Sequence, residues 1–272
     1  MPYRSARASR LQNAVMLGAV AIVGFATPLA AQTDYYNTST GRPMRIEDAS
    51  PLEYRGVELD LTPLRWERAP NASYRWSLHP EVAVGILPRT QLQIGVPFAF
   101  IDQRAASTRG AAGLEISALH ALNAETSIPA LAIAGDVLLP VGSLSADASY
   151  GTLKAIATRT TRLVRVHANA QVTIGPGTTD AADAPRAAEV SRWMAGIAVD
   201  RTLPLRSLLL SAESFAEQPT RDGAKLEWNA GVGARLQLAP RWAVDAGAGR
   251  RLTGDERTWY ATFGTAYALG IP

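Results

Sequence analysis

The stretch "KLEWNAGVGARLQL", residues 225–238, alternates without a break. Leu226, Trp228, Ala230, Val232, Ala234, Leu236 and Leu238 are apolar, and no large hydrophobe stands between them. A period of two puts the two sets on opposite faces of an extended strand. The apolar face needs a cover, which is either a protein core or lipid.

Twelve segments carry this pattern, some cleanly and some roughly. In "YRWSLHPEVAVGI", Tyr74, Trp76, Leu78, Val82, Val84 and Ile86 oppose Arg75, Ser77, His79 and Glu81. In "LVRVHANAQVTI", Val164, Val166, Ala168, Ala170, Val172 and Ile174 oppose Arg165, His167, Asn169, Gln171 and Thr173. Pro63 interrupts the first segment and points to an edge or a bulge. Leu119, Ile156 and Leu209 break the rule by falling on the polar face.

Connections between segments alternate in length. "LPRT", "NAETS", "RTTR", "RTLP" and "APR" are short, whereas "RAPNA", "DQRAASTRG", "VGSLSADAS", "GPGTTDAADAPRA", "EQPTRDG" and "TGDER" are longer on average. That asymmetry marks an up-and-down outer-membrane barrel, with both chain ends on the short-turn, periplasmic side. A closed barrel also satisfies every backbone hydrogen bond in hydrocarbon, because it has no edge. The competing fold is a soluble β-sandwich, in which the apolar face would be a core. Three features argue against it: strands long enough for a tilted crossing, Trp and Tyr at strand ends on the apolar face, and a polar face bearing glycine with charges of both signs. The expected fold is all-β, a transmembrane up-and-down antiparallel β-barrel of about 12 strands. Lipid then covers the apolar face. Val232→Arg is expected to harm assembly, and Gly231→Ser, pointing inward, to cost much less unless that glycine is tightly packed.

The start of the chain reads differently. Arg4, Arg7 and Arg10 precede the apolar run "AVMLGAVAIVGFA" and the small residues of "TPLAAQ". This is the layout of a secretory signal peptide, with cleavage expected after Ala31. The organisation is therefore residues 1–31 as signal peptide, 32–52 as a polar N-terminal segment, and 53–272 as the barrel. That segment is either a periplasmic tail or a plug of the lumen. The chain has 27 Lys+Arg and 24 Asp+Glu; removing the three signal arginines leaves 24 against 24. A neutral mature chain gives no argument for nucleic-acid binding. The absence of cysteine excludes thiol catalysis and thiolate metal sites.

The final strand holds "TFGTAYAL". Thr262, Gly264, Tyr267 and Leu269 resemble the C-terminal assembly signal of outer-membrane barrels, which implies the barrel-assembly machinery as a partner alongside outer-membrane lipid. "RPMRIEDASPLEYRGVELDLTPLRWER", "GLEISALHALN", "IPALAIAGDVLLPVG" and "LAPRWAVDAGAGRRLTGDERTWYATFGTAYAL" resemble outer-membrane barrels described as transporters or as the MetA-pathway of phenol degradation family. The resemblance runs from about Arg42 to Leu269, and its most specific part is "LAPRWAVDAGAGRRLTGD". It implies an outer-membrane location and a passive channel for small organic solutes, hydrophobic or aromatic ones included. The alternative is a non-conducting barrel with a structural or surface-binding role.

Phase alone assigns the lumen. Arg75, His79, Glu81, Glu115, Asp136, Lys154, Arg165, His167, Asn169, Gln171, Arg192, Glu213, Glu227, Arg235 and Asp245 are the lumen-lining candidates. Arg165 and His167 either ring a selective constriction or are held by a lumenal carboxylate such as Asp136. No catalysis, cofactor or metal is expected. The three histidines lack metal-ligand spacing, and no phosphate loop or nucleophile elbow occurs. His120 falls on the apolar face and Ser117 on the other, so the two do not form a hydrolytic pair.

Overall fold

The computed structural model describes residues 38, 43–68, 74–103, 106–177 and 190–270. The expected signal peptide lies outside the described residues. Among those described, fourteen strands form one antiparallel sheet. They are β1 (Gly56–Arg68), β2 (Tyr74–Leu87), β3 (Thr90–Gly95), β4 (Phe98–Gln103), β5 (Ala106–Ala111), β6 (Leu114–Ala121) and β7 (Ala130–Leu139). There follow β8 (Tyr150–Thr160), β9 (Arg165–Ile174), β10 (Ser191–Leu203), β11 (Leu208–Pro219), β12 (Glu227–Ala239), β13 (Trp242–Arg251) and β14 (Trp259–Gly270). β1 pairs with both β2 and β14, so the sheet closes on itself. No helix among the described residues is long and apolar enough to cross a membrane.

β3 and β4 both pair with β2 and are two halves of one crossing. β5 and β6 are likewise one crossing, so the fourteen strands make twelve crossings. The first break falls at Val96–Pro97, where proline has no N–H for the ladder. The Pro97 carbonyl still accepts from the Ala112 N–H at 2.7 Å, and the Val96 N–H reaches the Pro80 carbonyl at 3.1 Å. Beyond the break, β4 pairs with β5. This corrects the reading of "DQRAASTRG" as a loop: Asp102 and Gln103 end β4, and Ala106–Ala111 is β5. Ala, Ser, Thr and Gly give alternation nothing to contrast, so the hairpin leaves no hydrophobic signature. Leu144, from the loop between β7 and β8, covers it, donating its N–H to the Ala111 carbonyl at 2.9 Å and packing on Ala99, Ile101 and Ala112. At Pro63 the register of β1 slips against both neighbours, a bulge within a continuing strand.

The opening stretch shows how the faces divide. Trp228, Val232, Leu236 and Leu238 face outward and are exposed, Val232 by 62%. Asn229 and Arg235 face inward and are each only 1% exposed. Gly231 is the tightly packed case that the expectation set apart. A Cβ on Gly231 would stand 2.7 Å from the Tyr260 hydroxyl and 3.3 Å from the Ala248 carbonyl. Serine at 231 must therefore displace a tyrosine, so that position is not a tolerant inward control.

The short-turn end of the barrel is tied by side chains. Asn123 donates to the Ala124 and Pro129 carbonyls and accepts from the Leu131 N–H. Glu125 accepts from both the N–H and the hydroxyl of Thr160, each at 2.7 Å, and stands 3.6 Å from Arg159. Burial alone would raise the Glu125 pKa; the two Thr160 hydrogen bonds and Arg159 outweigh it and hold the carboxyl below its usual range. A depressed folded-state pKa contributes stability that is present above the unfolded value and lost as pH falls through the folded one. Glu125→Gln should therefore lower the unfolding midpoint near neutral pH, with the gap closing on acidification below about pH 4. A gap independent of pH would show that the carboxylate charge plays no part.

Candidate functional site

The site is the lumen, and the segment before β1 runs through it. The Arg55 N–H donates to the Gly85 carbonyl at 2.8 Å. Gly85 is required there, because a Cβ would collide with the Glu53 carbonyl. Going back along the chain, the Leu52 N–H reaches Gln91 Oε1 at 2.6 Å and the Ala49 N–H reaches Thr158 Oγ1 at 2.9 Å. Asn169 clamps Glu47 reciprocally, accepting its N–H and donating to its carbonyl, both at 2.9 Å. The N–H groups of Arg45 and Ile46 both donate to Glu213 Oε2, at 2.8 and 3.0 Å. Thr262 donates to the Pro43 carbonyl at 3.3 Å, and Pro43 lies so close to Gly233 that a Cβ there would be 2.7 Å from it. The segment thus touches β2, β3, β8, β9, β11, β12 and β14, spanning the bore.

These contacts explain the inward face. A buried extended segment outside the ladder must find partners for its backbone groups. Asn169, Glu213, Thr158 and Gln91 supply them. Its apolar side chains need cover too: Met44 and Ile46 pack with Met194, Ala198 and Phe215, and Ala49 packs with Leu119, Ala121, Ala132 and Ile156. Leu119 and Ile156 broke the alternation because part of the lumen is a small apolar core.

Charges fasten the same region. His167, fully buried, bridges Thr158 Oγ1 at 3.0 Å and Asp200 Oδ2 at 2.8 Å. Arg165 donates to both Asp200 oxygens, at 3.0 and 2.8 Å, and lies 3.7 Å from Asp48. Lys154 donates to Glu47 at 2.5 Å. Asp136 is not the partner of Arg165. Asp200 faces Arg165 in the β9–β10 register, whereas Asp136 faces Thr152 of β8. Glu47 and Asp48, the acids that reach these cations from the segment, were not among the candidates; the adjacent acids of "RIEDAS" were their only signal.

A cavity of about 120 Å³ remains beside the segment. His79, Glu81, Glu115, Asp136, Lys154 and Gln171 border it together with Leu78, Leu119, Leu138 and Tyr150. His79 Nε2 lies 3.7 Å from Glu115, and Ser117 donates to Gln93 at 3.1 Å. The other candidates lie elsewhere on the inward face. Arg75 stands 3.9 Å from Glu67, Glu227 forms an ion pair with Arg251 at 2.7 Å, and Arg192 pairs with Asp222 toward the long-loop end. Arg235 faces Asp245 in the β12–β13 register, both buried. Of the terminal signal, Thr262 points inward, Gly264 leaves room for Asp245, and Tyr267 looks outward with Leu269 two residues on. His120 lies on the outer face, its Nδ1 2.9 Å from Thr90 Oγ1, while Ser117 points into the lumen. Among the described residues no three His, Asp or Glu side chains gather where they could hold a metal.

Comparison with known proteins adds the family. No curated protein matches this sequence. Among solved structures, an outer membrane channel from Pseudomonas putida F1 superposes with a TM-score of 0.55 at 14% identity, covering 82% of this chain and 98% of that one. The translocator domain of autotransporter NalP from Neisseria meningitidis gives 0.50 at 12% identity, over 78% and 87%. The KdgM porin gives 0.49 at 14%, over 77% and 98%. For the first two, likeness at these identities is one of fold, that of an outer-membrane β-barrel. The family assignment comes from sequence: the model described as "Putative MetA-pathway of phenol degradation" matches residues 57–269, and the chain belongs to that family.

Proposed function

We propose that the protein is a passive outer-membrane channel for small organic solutes, with hydrophobic and aromatic ones in its range. The observation that carries this reading is the lumenal cavity of about 120 Å³, bordered by both polar and apolar side chains. An apolar cavity of about 150 Å³ accepts benzene, so this smaller one would hold at most a single ring. Polar groups among apolar walls are how small-molecule sites fix orientation. The terminal strand, with Thr262, Gly264, Tyr267 and Leu269, would present itself to the barrel-assembly machinery.

The second reading, a non-conducting barrel, draws on the segment that spans the bore and its fastening by Asn169, Glu213, Lys154 and Arg165. Liposome flux separates the two. Vesicles carrying the refolded protein should admit single-ring solutes and exclude disaccharides. Ser117→Phe, filling the cavity, should cut the ring flux severalfold while the variant still folds, as read from a shift of its gel migration on heating. Flux equal to that of empty vesicles for every solute would remove the channel reading.

A further inference from the structure

The outer wall carries cations that the lumen does not use. Across β2, β1, β14 and β13, Tyr74 faces Arg68, Arg68 faces Trp259, and Trp259 faces Arg250. Aromatic ring and guanidinium alternate along one row at the long-loop end of the barrel. Trp259 is 56% exposed and looks outward, and its register partners share that face. The Arg250 guanidinium lies 4.9 Å from the Trp259 ring centroid, and that of Arg68 lies 6.0 Å from the Tyr74 ring. Neither arginine makes an ion pair among the described residues. The row beneath is apolar: Trp66 faces Trp76 and Trp76 faces Phe100, with Trp66 stacked on Tyr74 at 6.0 Å. Asp102, facing Tyr74 from β4, is the acid of the upper row.

Such an aromatic row marks the membrane interface. The arginines stand on its watery side, at the level of lipid headgroups. Stacking on a ring holds a guanidinium still and leaves its N–H edge free to donate, an arrangement suited to phosphate. With adjacent strands about 4.8 Å apart, Arg68 and Arg250 are separated by about 10 Å along the row. That spacing offers two donors to a headgroup bearing more than one phosphate. The long-loop end faces the cell exterior, where the outer leaflet is built of phosphorylated glycolipid. We propose that the Tyr74–Arg68–Trp259–Arg250 ladder is a docking site for the phosphates of that glycolipid, fixing the barrel's height and orientation in the outer leaflet.

Native mass spectrometry of the refolded protein tests this with three lipids: bis-phosphorylated lipid A, its dephosphorylated form, and phosphatidylglycerol. Bis-phosphorylated lipid A should bind the wild type best. Each basic residue near a charged surface contributes about fivefold, so Arg68→Gln/Arg250→Gln should weaken that binding about thirtyfold. Arg68→Lys/Arg250→Lys should fall between, since charge survives but the stacked fork does not. Heat-modifiable migration reports whether each variant folds. Should the glutamine pair not fold, the wild type still decides by its preference for the phosphorylated over the dephosphorylated lipid A. Equal binding of those two forms, unchanged binding in a folded glutamine pair, or equal affinity for phosphatidylglycerol would each overturn the site.

Discussion

Replacing Asp200 with alanine is expected to destabilise the folded barrel by about 3–5 kcal/mol, the cost of breaking a buried ion pair from one side. Asp200 is 2% exposed and accepts from Arg165 twice and from His167 once. Removing its carboxylate takes two short bonds from the guanidinium, which keeps the more distant Asp48 at 3.7 Å, and one from the imidazole, which keeps Thr158. Those same groups brace the lumenal segment, since Thr158 also accepts the Ala49 N–H. The damage should therefore reach beyond the wall and loosen residues 43–53. Urea midpoints of the refolded protein give the stability, and limited proteolysis ahead of β1 gives the loosening. Adding Arg165→Met to the variant should recover part of the loss, because the charge that Asp200 balanced goes with it; the two changes share a network and will not add. A cost below about 1 kcal/mol would mean that water reaches the cluster, as at an exposed pair.

How far this molecule can be read from its sequence depends on which force sets each feature. Alternation is set by lipid on one side, and a single slip would turn every side chain to the wrong face. Trp228, Val232 and Leu236 were therefore legible, as were the inward phases of Asn169, Glu213 and Arg235. The β4–β5 extension was not, because Ala106, Ser107, Thr108 and Gly110 contrast too little with one another. Pro97, which parts β3 from β4, left only a missing N–H in an otherwise alternating run. The choice between tail and plug was also hidden. The described residues 43–52 are held by long-range bonds to Asn169, Glu213 and Thr158, and no local pattern encodes those. Misfits were the better guide. Leu119 and Ile156 stand on the polar face because Ala49 packs against them. The partner of Arg165 needed strand register, which places Asp200 opposite it and Asp136 two strands away.

Val232→Arg is expected to cost about 2–4 kcal/mol, the penalty for a cation facing lipid near the middle of a barrel wall. Val232 lies in the middle of β12 between Ala212 of β11 and Ala248 of β13, and it is 62% exposed on the outer face. No acid shares that row, and the small alanines offer no shelter, so the guanidinium must bend toward an interface or draw water into the hydrocarbon. Gly231 cannot serve as the inward comparison, because any side chain there meets Tyr260. Gln171 can. It borders the lumenal cavity that Asp136 and Glu81 also line, and the Lys154 facing it is already paired with Glu47, so an arginine there has both space and counter-charge. Gln171→Arg should cost less than about 1 kcal/mol, as a substitution that makes no cavity and strands no charge. Folding yields and urea midpoints of the two variants in lipid vesicles make the comparison with one and the same introduced side chain. Equal losses at the two positions would mean that the outer face of β12 does not meet hydrocarbon, and the barrel's apolar face would need another cover.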